Sequence, residues 1–258
     1  MILAIDIGNT NTVLGCLEGD DLLFTLRIRS DRDKTADEYC LLVEGLLRRQ
    51  GVDPAALEGG ILSSVVPGLR TVMPLAMKQL TGQDFLVVGS GIKTGLDIRI
   101  DNPGQLGADL VVDAVAALAD YPPPLAIFDM GTATTLSVLD GAGVYRGGMI
   151  IPGLRVSMDA LSARAAQLPY IQLTAPETPI GRNTIECMQA GAIFGSASMV
   201  DGLIGRVEAA LGQKVTAVAT GGLMAVVHPH CHREIHYDPN LLLKGLHLLY
   251  KKNQGGAK

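Results

Sequence analysis

Residues 3–12 read LAIDIGNTNT, and residues 126–135 read AIFDMGTATT. Each stretch is an apolar run closed by an aspartate, one further residue, a glycine, and then hydroxyl or amide side chains. The two aspartates, Asp6 and Asp129, stand about half a chain apart in a protein of 258 residues. Solenoid repeats have a period of roughly 20–50 residues, so this is a duplication of another kind. It predicts two domains of like α/β fold facing each other across a central cleft.

The chemistry of the repeated stretch follows from its residues. An apolar run without polar alternation predicts a buried strand, and the glycine permits a tight turn and close approach of another group. A second strand follows at once, Thr12–Leu17 in the first copy and Thr135–Leu139 in the second. The pair makes a β-hairpin whose tip carries a carboxylate and several hydroxyls. Such a tip can hold phosphate oxygens on backbone N–H groups and hydroxyls, and a cation on its carboxylate. Asp, Gly, Asn and Thr are also ordinary turn residues; recurrence at half-chain spacing favours the site.

Composition narrows the class. Hydrophobic residues make up 48% of the chain and charged residues only 18%, which predicts a large core and a surface that is apolar in places or covered by a partner. A net charge of −5 argues against a nucleic-acid groove. No run of about 20 apolar residues reads as a membrane span, and the N-terminus enters a strand without the charged region of a signal peptide. The cysteines at 16, 40, 187 and 231 show no pairing pattern. They read as reduced thiols in the cytoplasm.

Along the chain, strands are expected at 2–7, 12–17 and 22–29, then a helix over 35–49 with apolar residues at helical spacing. Thr35 and Glu38 form a capping-box signature. A strand over 57–66, a helix from Pro67 to about Leu80, a strand over 84–88, an extended run over 97–103 and a helix over 107–120 complete the first half. The stiff break at Tyr121-Pro122-Pro123-Pro124 is the best boundary, giving domains 1–121 and 122–258. The second half repeats the strand pattern, with helices around 154–162 and over 184–210, the latter one helix or two joined near Gly202. A strand over 215–219 precedes a last helix over 240–250 and a mobile tail, Lys251–Lys258.

Three further clusters carry chemistry. Asp101-Asn102-Pro103 leads to Gly107-Ala108-Asp109 at a helix start. A carboxylate there is stabilised by the helix dipole, or it is a general base for a substrate hydroxyl. Thr220-Gly221-Gly222 closes a strand, as a plain loop or as backbone that cradles a nucleotide. Ile180–Thr184 precedes the long helix, either as its N-cap or to present a hydroxyl to substrate. His228, His230, Cys231, His232 and His236 include zinc-ligand types, but neighbouring positions fit one tetrahedral centre poorly.

Taken in order, DIGNT (6–10), SSVVP (63–67), DNP…GAD (101–109), DMGTATT (129–135), GGMIIPG (147–153), NT…G (183–191), TGG (220–222) and LKGL (243–246) resemble the type III pantothenate kinases of the acetate-and-sugar-kinase/Hsp70/actin superfamily. The resemblance implies a duplicated ribonuclease-H-like fold and a homodimer. It implies transfer of the ATP γ-phosphate to pantothenate, giving 4′-phosphopantothenate at the first step toward coenzyme A, with Mg²⁺ and a monovalent cation, K⁺ or NH₄⁺. By the same resemblance Asp6 is a phosphate and metal aspartate, with Gly8, Asn9, Thr10 and Asn11 around the phosphates. Asp109 is the catalytic base, beside Gly107, Ala108 and Ile100 on the substrate side. Asp129 lies near the monovalent cation, with Thr132 on the active-site hairpin of the second domain. Gly221 and Gly222 belong to the nucleotide side, and Thr184 to the substrate, reaching a partner's site in the dimer.

One position departs from the family pattern. Leu110 stands where the family usually carries arginine after its aspartate. Leucine offers no planar fork for a carboxylate. Ile100, where many members carry an aromatic, is a milder change. Both fall on the acceptor side. The alternatives they open are a sibling kinase for another small alcohol and a catalytically impaired regulatory pseudokinase.

Overall fold

The computed structural model describes residues 1–254. The chain begins β1 (Ile2–Ile7), β2 (Asn11–Glu18), β3 (Asp21–Arg29), α1 (Ala36–Arg49), β4 (Gly60–Ser64), α2 (Leu69–Thr81), β5 (Leu86–Val87) and α3 (Ala108–Asp120). It continues β6 (Leu125–Met130), β7 (Ala133–Leu139), β8 (Tyr145–Pro152), α4 (Leu154–Arg164), α5 (Thr184–Leu211), β9 (Thr216–Thr220), α6 (Met224–Val227), β10 (His236–Tyr237) and α7 (Leu241–Gln254).

The strands form two five-stranded sheets of one topology. The first has the order β3-β2-β1-β4-β5, the second β8-β7-β6-β9-β10. In each, the first three strands form an antiparallel meander and the last two run parallel to the founding strand, β1 or β6. This is the duplicated ribonuclease-H-like fold, and the repeated sequence stretch is the founding strand and hairpin of each copy.

Strand alternation sorts the first sheet's residues to its two faces. Leu3, Ile5 and Ile7 of β1 join a core with Tyr39, Val43 and Leu47 of α1 and Leu69, Met73 and Met77 of α2. Ile2 and Ala4 face the other way, into a core with Val112 of α3 and Leu243, Leu246 and Leu249 of α7. Each fully buried aliphatic there contributes roughly 1.5–3 kcal/mol of transfer free energy. The start of α1 is capped as its sequence predicts: Glu38 N–H donates to Thr35 Oγ1 at 3.3 Å, and Thr35 N–H to Glu38 Oε2 at 2.8 Å.

In the second sheet Ala126, Phe128 and Met130 of β6 pack on Ala192, Ile193, Ala197, Val200 and Ile204 of α5. One face of the apolar stretch of α5 is therefore buried in its own unit. Against the expectation of no such run, α5 is long and apolar enough to cross a membrane by length and composition alone. It runs unbroken through Gly202, because Val200, Ile204 and Val207 continue the buried face across that glycine.

The two compact units are not the contiguous halves 1–121 and 122–258. The first comprises Met1–Gly95, Asn102–Ala116 and the chain from Leu242 onward; the second comprises Leu96–Asp101 and Ala117–Leu241. Leu96–Asp101 leaves the first half because its backbone pairs with the start of β8: Tyr145 N–H donates to Asp97 O at 2.8 Å, and Arg99 N–H to Tyr145 O at 3.0 Å. The tri-proline break is held within the second unit, where Thr216 N–H donates to Pro124 O at 2.9 Å. The last helix joins the first unit through the α3–α7 core. Of the expected tail, residues 251–254 extend α7, and residues 255–258 lie outside the described residues.

Candidate active site

Asp6 is in step with Ile2 and Ala4, so it lies on the α3–α7 side of the first sheet. Ser63 of β4 is its partner in the parallel register, and Ser63 Oγ donates to Asp6 Oδ1 at 2.9 Å. That bond fixes the carboxylate near the end of β1. Beyond it Gly8 N–H donates to Asn11 O at 3.0 Å and closes the turn, leaving Asn9 and Thr10 exposed at its tip. The tip is braced from the segment after β3: Ser30 N–H donates to Thr10 O at 3.0 Å, and Ser30 Oγ and Thr12 Oγ1 share a buried hydrogen bond of 2.9 Å. Arg32 Nη2 donates to Asn9 Oδ1 at 2.8 Å.

Asp109 occupies the first turn of α3. Burial pushes its carboxyl above the ordinary carboxylate range, against the lowering pull of backbone N–H groups, including that of Leu110, which donates to Asp109 Oδ1 at 2.9 Å. A Cβ at position 107 would overlap that same oxygen, so glycine there leaves the carboxylate its place. Desolvation outweighs the backbone N–H groups, so the carboxyl holds its proton to higher pH than an exposed aspartate does.

The second unit repeats the pattern with its own chemistry. Asp129, next to last in β6, pairs in register with Thr220 of β9, a hydroxyl residue in the place that Ser63 takes in the first copy. Gly131 N–H donates to Ala133 O at 3.0 Å, in a turn one residue shorter than its counterpart, with Thr132 exposed. Gly221 follows β9 with φ of 91°, and a Cβ there would overlap both Asp129 Oδ1 and the backbone of Met130. Leu223 N–H donates to Met130 O at 3.2 Å, which ties the Gly221–Gly222 turn to the hairpin. Ile100 sits beside Gly147, two residues beyond the isolated bridge that pairs Ile98 with Tyr145 of β8. Thr184, first residue of α5, lines a groove of about 440 Å³ with Met158, Leu161, Leu168, Cys187 and Met188. The helix is capped by Asn183, whose Oδ1 accepts from Glu186 N–H at 3.0 Å, so Thr184 is not the cap.

Comparison with known proteins decides what such a pair of hairpins belongs to. Residues 2–206 match the family model described as type III pantothenate kinase. The chain belongs to the type III pantothenate kinase family.

A type III pantothenate kinase of an Exiguobacterium species is 47% identical over 98% of this chain and 100% of its own length. That of Moorella thermoacetica is 45% identical over 98% and 100%. Among solved structures, the activator of the 2-hydroxyisocaproyl-CoA dehydratase from Clostridium difficile with bound ADPNP aligns over 100% of this chain and 98% of its own, at 14% identity and a TM-score of 0.53. That likeness is one of fold.

The kinase's first unit thus gathers Asp6, Gly8, Asn9, Thr10 and Asn11 on one hairpin and Gly107, Ala108 and Asp109 at the start of α3. Its second unit gathers Asp129 and Thr132 with Gly221 and Gly222, while Ile100 and Thr184 lie elsewhere on that unit. Sequence reasoning passed over Ser63, Thr220 and Arg32. Ser63 stands inside the SSVVP motif and Thr220 inside TGG, so the motifs marked the places without assigning a role. The histidine cluster is occupied otherwise: His228 shares a hydrogen bond with Ile235 O and stacks on Tyr237, His236 stacks on Tyr121, and His230 meets Phe194 edge-on. Among the described residues no group of three or more His, Cys, Asp or Glu is arranged to hold a metal.

Proposed function

We propose that this chain transfers the γ-phosphoryl group of ATP to the primary hydroxyl of pantothenate, releasing ADP and 4′-phosphopantothenate, the first step toward coenzyme A. The observation that carries the proposal is Asp109. A carboxylate raised by burial, at the start of a helix and beside a glycine that leaves it room, is suited to take the hydroxyl proton as the oxygen attacks phosphorus. The Gly8–Asn11 turn binds phosphate oxygens through backbone N–H groups, Asn9 and Thr10. Asp6, oriented by Ser63 at an oxygen-rich turn, fits a hard cation that binds through one or two carboxylates plus phosphate and keeps most of its waters. When bound, Mg²⁺ neutralises charge on the transferring group. Asp129 with Thr132 fits a monovalent cation, K⁺ or NH₄⁺, and Gly221–Gly222 presents backbone to the nucleotide.

The working form is a homodimer. Among the described residues, seven of the ten exposed large hydrophobics fall between residues 149 and 185, including Ile150 (80% exposed), Tyr170 (72%) and Ile180 (79%). Exposed apolar surface is covered in most proteins when it is extensive; of these residues Leu161 lines the groove of Thr184 and Ile185 follows it on α5. The site of action is the cytoplasm, consistent with four free cysteines.

Leu110 supports a second reading, a sibling kinase for another small alcohol, because it leaves the position after the base without a positive charge. A panel of acceptors separates the two. Phosphorus NMR of the product should show a new phosphomonoester with pantothenate and none with alcohols lacking its carboxylate. Preferential turnover of an uncharged alcohol would establish the second reading.

A further inference from the structure

Arg32 differs from Asp31, Lys34 and Glu38 of the same segment, which are engaged with one another or with the local backbone. The segment between β3 and α1 is a built loop. The buried Tyr39 clamps it from below, its hydroxyl donating to Asp31 O at 2.8 Å and accepting from Asp31 N–H at 2.9 Å. The Asp31 carboxylate is taken by Lys34 Nζ at 2.9 Å and by Asp33 N–H at 3.1 Å, and Lys34 holds it below the usual carboxylate range. Thr35 and Glu38 lock each other in the capping box. Among the described residues Arg32 pairs with no carboxylate; its polar contact is the amide oxygen of Asn9, at the exposed tip of the first hairpin.

A chain of net charge −5 that binds a polyphosphate needs positive charge at the phosphates. The turn residues Gly8, Asn9, Thr10 and Asn11 supply none, and the adjoining carboxylate of Asp6 is negative. Other phosphoryl-transfer enzymes meet this need with a lysine or an arginine beside the metal. A guanidinium has five N–H donors in a rigid fork matched to phosphate oxygens. One of Arg32's is used on Asn9, and this contact holds the charge at the turn.

We propose that Arg32 is a phosphate-contacting residue of this kinase: docked on Asn9, its guanidinium binds the phosphate chain of ATP at the Gly8–Asn11 turn. The inference rests on the reading of that turn as the phosphate site. The competing explanation is that Arg32 only braces Asn9, and two variants separate them. Arg32→Gln keeps an N–H donor for Asn9 and loses the charge; Arg32→Ala loses both.

The experiment measures KM for ATP and for pantothenate in the full chain with Mg²⁺ and K⁺ present, with thermal melting to confirm that each variant folds. Loss of a charge-assisted contact corresponds to a change of about tenfold or more. Both Arg32→Gln and Arg32→Ala should raise the KM for ATP by about that factor, leave the KM for pantothenate within about twofold, and flatten the dependence of the ATP KM on salt. A wild-type KM for ATP in Arg32→Gln would overturn the proposal and leave Arg32 a brace. An equal rise in both KM values would also overturn it, pointing to a general distortion. Asp6→Asn in the same assay tests the parent reading. If Asp6→Asn is impaired while Arg32→Gln is not, the proposal alone fails; if Asp6→Asn is unimpaired, the phosphate turn and the proposal fall together.

Discussion

Asp109 and its neighbour Leu110 set what can be tested residue by residue. Burial raises the Asp109 carboxyl, and a general base works only when deprotonated. The rate constant kcat/KM should therefore rise with pH through a midpoint above about 3.9, the unperturbed aspartate value. Stability follows the opposite course: between the unfolded and the raised folded pKa the native state binds more protons, so stability falls as pH rises through that window. Asp109→Asn should then melt no lower than the wild type at neutral pH while losing most turnover, by about 100-fold or more; a clear drop in Tm would mean the ionised carboxylate supports the fold. Leu110→Arg should lower the KM for pantothenate by about 10- to 150-fold if the substituted position faces the acid end of the acceptor. An unchanged KM would show that the carboxylate is held elsewhere. The acidic residues of both hairpins and Asp109 stand out in the sequence as candidates because each sits in a short local pattern. Ser63 and Arg32 were not: the first meets Asp6 across 57 residues and the second meets Asn9 across 23. Such meetings depend on strand register and loop packing, which no local spacing encodes.

At the scale of the element, hydrophobic period and caps predicted most helices to within a few residues. α1, with its capping box, and α3 are examples. The strand ends were less readable. The expected strand over 57–66 contracts to β4 at Gly60–Ser64, and the two-residue β5 is shorter than its apolar run. Pairing, not composition, ends a strand, and neighbours in a parallel sheet are remote in sequence. The two-residue β10 gave no signal of its own and exists through its pairing with Val218 and Ala219. The long α5 carries Gly202 in mid-helix with open space where a Cβ would stand. Gly202→Ala should stabilise the helix by about 0.5–1 kcal/mol, read as a higher Tm. A lower Tm would mean that a neighbouring surface approaches that glycine in the working protein.

For the whole molecule, the half-chain repeat correctly announced a duplicated fold, since both sheets share one strand order. It did not announce how the chain is shared between units. Pro-rich composition placed the boundary at residue 121, whereas backbone pairing carries 96–101 into the second unit and the last helix returns to the first. A boundary drawn from stiffness alone misses segments that leave one unit and come back. The exposed apolar surface between 149 and 185 supports the proposed dimer, and it gives the assembly a test. Ile180→Asp with Ile150→Asp should convert a dimer to a monomer by light scattering while leaving the melting transition cooperative. A wild-type protein that is already monomeric at micromolar concentration would remove the dimer from the account.

The central claim is that this fold moves a phosphoryl group from ATP to pantothenate with Asp109 as base. Pantothenate-dependent ADP release, measured in a coupled assay with Mg²⁺ and K⁺ for the wild type and Asp109→Asn side by side, tests it most directly. The account predicts steady turnover in the wild type that requires pantothenate and nearly vanishes in the variant. ADP release that ignores pantothenate, or a variant as fast as the wild type, would contradict it.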